Sequence, residues 1–168
     1  REFCTLNRAT SPGDSTIIGS HGNFLAYSHV AHDCIVGDHV IFSNNGTIAG
    51  HVIVEDHVII GGFSGVHQFC RIGAHSITGG CTKIVQDVPP YVIADGNPAK
   101  VRAVNKVGLQ RRGFSEEAIK GVVSAFRVLY REELNTTEAL AKIQDSGALL
   151  PEVQSMVDFI SASERGIH

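Results

Sequence analysis

The chain has 168 residues, 43% of them hydrophobic, with 14 basic and 17 acidic side chains giving a formal net charge of −3. That length suits one domain with a small appendage and an adequate core. The composition excludes a long apolar span and a visible signal peptide, and suggests neither a membrane span nor a nucleic-acid partner.

Residues 1–17 predict a strand around Phe3–Leu6, then a loop, because Ser11-Pro12-Gly13-Asp14 is strong turn chemistry. The sequence opens on Arg1 rather than Met, so a preceding N-terminal portion is expected. From Ile18 to Ile84 every sixth residue is apolar except Thr78, running through Phe24, Val30, Val36, Phe42 and Ile48. Four residues after these positions stand small or β-branched residues such as Cys34, Val40, Val52 and Cys70. A period of six is neither helical nor a plain strand alternation; it marks a prism whose faces are short parallel strands. Three faces make one coil, so residues eighteen apart should stack. Parallel crossovers are otherwise right-handed, but the six-residue spacing selects the left-handed form.

Pro89-Pro90 should end the regular pairing, since proline lacks the ladder donor. A short extended piece at Tyr91–Ala94 and a turn at Gly96-Asn97-Pro98 follow. Beyond Phe114 the period becomes helical: one helix capped by Ser115, a second from Thr136 or Thr137 to before Gly147, and a third from Pro151. The expected architecture is therefore mainly β, a left-handed parallel β-helix of hexapeptide repeats over residues 1–98, with a small C-terminal α-helical domain over 99–168. The flat faces and open ends of such a prism call for caps or partners, so oligomerisation is expected.

Cys4, Cys34, Cys70 and Cys81 lack metal or redox spacing. Cys34 and Cys70 should lie two coils apart, about 9–10 Å, too far for a disulfide. They read as small core residues in a reducing compartment, by default the cytoplasm. Between Gly96 and Ser115 stand Lys100, Arg102, Lys106, Arg111 and Arg112 with no acidic residue. This stretch is either a solvated linker or a site for an anionic partner such as a diphosphate or an acidic protein.

The nine histidines sort by the eighteen-residue map. His21, His39, His57 and His75 fall eighteen apart and predict a stack of turn residues along one prism edge, without a catalytic role. His168 is terminal and expected to be mobile. His32, Asp33, Gly50, His51, His67 and Gln68 fall at neighbouring phases, with Gly50 about 4.8 Å above His32. His29, three residues earlier, is a further candidate for the same cleft. His29 and His32 form an H-x-x-H, but on a β-coil three residues turn a corner and no cysteine pair completes a set, so no metal is expected. Acid–base chemistry fits better: a histidine takes a hydroxyl proton, a carboxylate fixes its tautomer, and a glycine amide receives developing negative charge. His32 and Asp33 can pair only if they straddle a corner. Cys34 occupies an interior position and is rejected as a nucleophile.

The hexapeptide repeat resembles that of left-handed β-helix acyl- and acetyltransferases. Longer strings are more specific: His29-Val30-Ala31-His32-Asp33-Cys34, Ala49-Gly50-His51-Val52, Val66-His67-Gln68-Phe69-Cys70, Gln86-Asp87-Val88-Pro89-Pro90-Tyr91 and Arg111-Arg112-Gly113-Phe114-Ser115. All resemble the UDP-N-acetylglucosamine O-acyltransferases, over essentially the whole chain, which corresponds to the C-terminal two-thirds of that family's enzymes. The resemblance implies a cytoplasmic homotrimer, without cofactor, that moves a 3-hydroxyacyl group from acyl carrier protein to the glucosamine 3-hydroxyl of UDP-N-acetylglucosamine at the start of lipid A synthesis. It implies His32 as general base, Asp33 as its orienting partner and the Gly50 amide as oxyanion donor. His29, His51, His67 and Gln68 would line the substrate cleft between subunits, and Asn105, Arg111 and Arg112 would contact the nucleotide. Gly80 would gauge acyl length with Ile77 on the wall. Two matches fail: the usual His-Arg-Gly-Thr is here Asn7-Arg8-Ala9-Thr10, and an acidic residue two beyond Asn105 is here Val107.

Two other readings compete. An N-acyltransferase acting on the next lipid A intermediate shares the fold, but lacks the Arg111–Ser115 string and the helical tail. A non-catalytic trimeric β-helix that binds carrier protein has no need of the His32–Gly50 edge.

Overall fold

The computed structural model describes residues 1–168 and shows a β-solenoid of dipeptide strands followed by helices. Face one stacks Thr5–Leu6, His29–Val30, Thr47–Ile48, Gly65–Val66 and Lys83–Ile84. Face two stacks Ile17–Ile18, Ile35–Val36, Ile53–Val54 and Arg71–Ile72. Face three stacks Asn23–Phe24, Ile41–Phe42, Ile59–Ile60 and Ile77–Thr78. Neighbours are parallel and pair eighteen residues apart, as in Val30↔Ile48 and Ile35↔Ile53. One pair departs: Thr5 meets His29, so the first coil holds six additional residues.

The second residue of each dipeptide points inward. Val30, Phe42, Ile48, Ile60, Ile72 and Ile84 are all 0% exposed, and so are Cys34, Val40, Val52, Val58 and Cys70 at the corners. Two inward positions in every six residues produce the observed period. All four cysteines are free thiols, and burial pushes the Cys34 and Cys70 thiols up.

Each corner needs one residue with a left-handed backbone. From His21 to Cys81 every sixth residue takes it, with φ between 56° and 64°. Histidine, asparagine and aspartate tolerate this region better than most side chains. The amides hold it: His39, Asn45, His51, His57, Phe63, Phe69, His75 and Cys81 each donate to a carbonyl of the preceding coil. The corners build three edges. His21, His39, His57 and His75 stack between faces two and three, with ring centroids 4.7–4.8 Å apart. Tyr27, Asn45, Phe63 and Cys81 run between faces three and one, and Asp33, His51 and Phe69 between faces one and two.

The β-sheet extends further than the sequence suggests. Val92–Asp95 continues face three parallel to Ile77–Thr78, and Lys100–Val104 returns antiparallel beside it. The Gly96-Asn97-Pro98 turn thus makes a hairpin, so the residues just past Pro98 are strand rather than the start of a helical domain. Helix α1 (Lys106–Arg111) was not legible, being short and glycine-containing, with the Asn105 side chain accepting from the Gly108 amide. Helix α2 (Glu116–Arg131) has the expected Ser115 cap; α3 (Thr136–Gln144) starts from a capping box of Asn135 and Glu138; and α4 (Pro151–Ser161) opens on Pro151. The helices are four rather than three. Helix α4 docks where the Arg71 guanidinium lies 4.4 Å from the Phe159 ring centroid. No helix is long and apolar enough to cross a membrane.

His168 is anchored, contrary to the expectation of mobility. Its Nε2 accepts from the amides of Val85 and Gln86, and its own amide donates to the Asp87 carbonyl. Ser163 donates to the Asp87 carboxylate, which also accepts the Arg71 amide. The segment at residues 163–168 therefore extends the last coil.

The histidine edge has a pH signature. His75 lies between His57 and Tyr91, edge-on to Phe114, and its Nδ1 is buried without a partner. Burial, helped by the charges of His57 and Arg112, pushes its pKa from 6.5 to about 4. The unfolded chain therefore takes up a proton that the folded chain refuses, and stability falls as pH drops through that window. At ~1.4 kcal/mol per pH unit the contribution is at most roughly 3.5 kcal/mol. His75→Asn keeps a residue tolerant of the left-handed corner but removes the titration. Urea unfolding between those two pH values should show a shallower loss of stability in His75→Asn than in the parent; parallel slopes would reject this account.

Candidate active site

The edge between faces one and two brings His32, Asp33, Gly50 and His51 together. Asp33 sits at a left-handed corner with φ 59°, which lets two sequence neighbours turn toward each other instead of projecting to opposite sides. His32 Nδ1 lies 2.8 Å from Asp33 Oδ2, and His51 Nε2 lies 3.7 Å from the same oxygen. The Asp33 side chain is only 8% exposed, whereas those of His32 and His51 are 39% and 41% exposed. A recessed carboxylate thus holds an imidazole whose far side faces solvent.

The hydrogen bond from His32 contributes most to holding the Asp33 carboxyl below the usual carboxylate range, with further contributions from Thr10 and the charge of His51. Thr10 donates from Oγ1 to Asp33 Oδ2 at 2.8 Å, and its amide reaches both carboxylate oxygens at 3.2 and 3.3 Å. Thr16 Oγ1 accepts the Asp33 amide at 2.8 Å. Neither threonine was singled out from sequence, although the twelve-residue step from Leu6 to Ile18 carries the signal of an insertion.

Gly50 is required by contact. A Cβ there would lie 2.6 Å from His32 Nε2, a separation the ring cannot accept. The residue is buried, yet its amide donates to no backbone or side-chain acceptor in the chain. The amide at the same place in the turn is likewise unpaired at His32, Asn44, Gly62 and Gln68, and what sets Gly50 apart is the imidazole beside it. His51 meets His32 edge-on at 5.2 Å and stacks on Phe69 at 4.7 Å, which fixes the wall of the edge.

The other sequence candidates are distributed around the prism. Gln68 lies one coil above Gly50 on the same edge, exposed. His67 is exposed beside it; its Nδ1 lies 3.2 Å from the Gln68 carbonyl and 3.5 Å from an Arg165 nitrogen. His29 projects from face one and bonds Thr5 Oγ1 through Nδ1 at 2.7 Å. Asn105 and Arg112 attach to the histidine edge, donating to the carbonyls of His75 and His57. Asn105 is 3% exposed and both ends of its amide are used within the chain. Burial pushes the Arg112 pKa down, while Arg111 is exposed. Gly80 adjoins Cys81 on the edge between faces three and one, and Ile77 is on face three. One chain therefore brings four of the candidates into direct contact and places the nucleotide and acyl-length candidates on other edges.

His32, Asp33 and His51 also offer three ligand-type atoms within 4.8 Å of one another. These donors suit a cation such as zinc, but His32 Nδ1 and Asp33 Oδ2 are engaged with each other. The arrangement as it stands can orient an imidazole, accept a proton on its exposed side and offer one unpaired amide to a developing anion.

The sequence profile of "Udp N-acetylglucosamine O-acyltransferase; Domain 2" matches residues 87–168. The acyl-[acyl-carrier-protein]–UDP-N-acetylglucosamine O-acyltransferase of Thiobacillus denitrificans is 49% identical over 168 residues, covering 99% of this chain and 65% of its own length. The same-named protein of Ectopseudomonas mendocina is 48% identical at the same coverage. This chain thus spans about 65% of the length of these curated relatives. Among solved structures, LpxA from Acinetobacter baumannii superposes with a TM-score of 0.92 at 44% identity, covering 99% of this chain and 66% of that one. The Arabidopsis UDP-N-acetylglucosamine acyltransferase gives 0.93 at 38% identity, covering 99% and 62%. In sequence and backbone the chain is thus similar, across nearly its whole length, to about 65% of the length of the UDP-N-acetylglucosamine O-acyltransferases it matches.

Proposed function

We propose that the protein transfers a 3-hydroxyacyl group from acyl carrier protein to the 3-hydroxyl of UDP-N-acetylglucosamine, using His32 as general base and neither metal nor cofactor. The observation that carries this reading is the His32–Asp33 pair at 2.8 Å with the Gly50 amide against the same ring. Similarity to the named relatives supports the substrates, since those proteins carry both in their names.

In this mechanism Asp33 accepts a hydrogen bond from the Nδ1–H of His32, which keeps that proton on the ring and leaves the Nε2 lone pair toward the acceptor hydroxyl. His32 takes the hydroxyl proton as the sugar oxygen bonds to the thioester carbonyl carbon. The negative charge that forms on the carbonyl oxygen is stabilised by the Gly50 N–H, which has no ground-state partner to give up. Collapse of the tetrahedral species breaks the carbon–sulfur bond, and the imidazolium returns its proton to the leaving thiolate. The products are the ester and free carrier thiol, with the base restored.

Asn105, Arg111 and Arg112 would contact the nucleotide, and His29, His51, His67 and Gln68 would line the cleft. Because Asn105 and Arg112 attach to a different edge from His32, this reading has two copies of the chain forming each cleft, consistent with a cytoplasmic homotrimer. Gly80, with Ile77, would set acyl length. A side chain at Gly80 would first meet the Gly62 carbonyl at an ordinary 3.5 Å, so larger residues fit the local backbone and project outward.

Three measurements test this. His32→Ala should reduce acyl transfer at least ~10³-fold with an unchanged circular dichroism spectrum; near-normal turnover rejects the general base. Gly50→Ala forces the His32 ring aside and should cost on the order of 10²-fold in kcat. If turnover survives that change, the close approach has no catalytic meaning. Gly80→Met should shift preference toward shorter acyl chains in a competition among carrier-protein donors, and an unaltered product distribution removes the ruler.

A further inference from the structure

Six additional residues in the first coil need a reason. Everywhere else on face one the strands pair eighteen residues apart, but Thr5 pairs with His29, twenty-four away. The excess leaves the prism between Leu6 and Ile17. A surface loop of this kind is ordinarily free to vary, yet two of its residues converge on Asp33.

The convergence replaces something the fold supplies at the corners above. His39, His51, His57 and Phe69 each donate their amide to the carbonyl nineteen residues earlier. Asp33 has no such carbonyl, because the inserted residues displace the chain that would provide it. Its amide donates instead to the hydroxyl of Thr16 at 2.8 Å. The carboxylate is held separately by Thr10, through Oγ1 on Oδ2 and the amide on both oxygens. The titratable groups facing Asp33 are His32 and His51. Oδ2 receives both the Thr10 hydroxyl and the His32 ring at 2.8 Å, so the position of one bond constrains the other.

We infer that the Asn7–Thr16 insertion is a built-in clamp on Asp33, with Thr10 a positioning residue that fixes the carboxylate, and through it the His32 tautomer and ring angle, for proton abstraction. This rests on the acid–base reading of His32 and adds to it a part of the chain outside the regular coil. Thr10 touches no reacting atom, and its effect passes through Asp33. Its donors also spread the carboxylate charge. Their loss leaves a more basic partner for His32, which favours the imidazolium and moves the acidic limb of the rate profile to higher pH.

The test uses Thr10→Val, which removes the hydroxyl and keeps the shape, and Thr10→Ser, which restores it. Thr10→Val should lower kcat about tenfold with little change in KM, move the acidic limb of kcat/KM upward, and leave the unfolding midpoint in place. Thr10→Ser should recover both rate and profile. In an Asp33→Ala background Thr10→Val should have no further effect on rate. Independently of turnover, the low-field Nδ1 proton resonance of His32 should shift or broaden in Thr10→Val and return in Thr10→Ser. A normal rate and unmoved resonance in Thr10→Val, or an equal loss when Asp33 is already absent, overturns the clamp. Should Asp33→Ala remove activity while Thr10→Val behaves as parent, only the clamp fails. If Asp33→Ala and His32→Ala both turn over normally, the acid–base reading falls and the clamp with it.

Discussion

The structure depends on a corner that places one residue in left-handed backbone every six residues and ties its amide to the coil before. That amide bond sets the eighteen-residue register, the register stacks the inward side chains, and the stack excludes water without any long strand. Left-handed φ carries a cost for most side chains, so the corner needs its bond and its tolerant residues. The same constraint arranges function. Residues eighteen apart become contacts, and a corner is where adjacent side chains can meet.

His32 and Asp33 illustrate the second point. In an extended strand they would diverge, and the pair at 2.8 Å exists because Asp33 bends the chain. Gly50 illustrates the first: eighteen residues on from His32, it lies against the ring and leaves its amide unpaired. Scaffold and candidate chemistry thus share one geometric rule. The Asp33 corner alone keeps its place by a side-chain hydroxyl of the first-coil loop instead of a carbonyl below.

Much of this was legible in the sequence because a six-residue period leaves little freedom. The stacking of His21, His39, His57 and His75, the interior place of Cys34 and Cys70, and the adjacency of His32 to Gly50 all follow from arithmetic modulo eighteen. What escaped lies where the period is broken. Lys100–Val104 pairs antiparallel, so its register is set by a hairpin rather than by the repeat. Helix α1 is too short to show a stripe, and its cap at Asn105 works through a carbonyl thirty residues distant in sequence. Thr10 sits in the insertion, where counting by eighteen fails. His168 is held by amides on the last coil, a contact no local pattern announces.

The inserted residues have an evolutionary consequence. In a stacked architecture each repeat senses chiefly its nearest neighbours, and the coils above the insertion keep their ordinary pairing. Length and composition of the Asn7–Thr16 excursion can therefore drift without propagating an error along the prism axis. Divergence of the chemistry is decoupled from divergence of the scaffold. Related chains should differ most in this excursion wherever they differ in acid–base behaviour, while the corners above it stay the same.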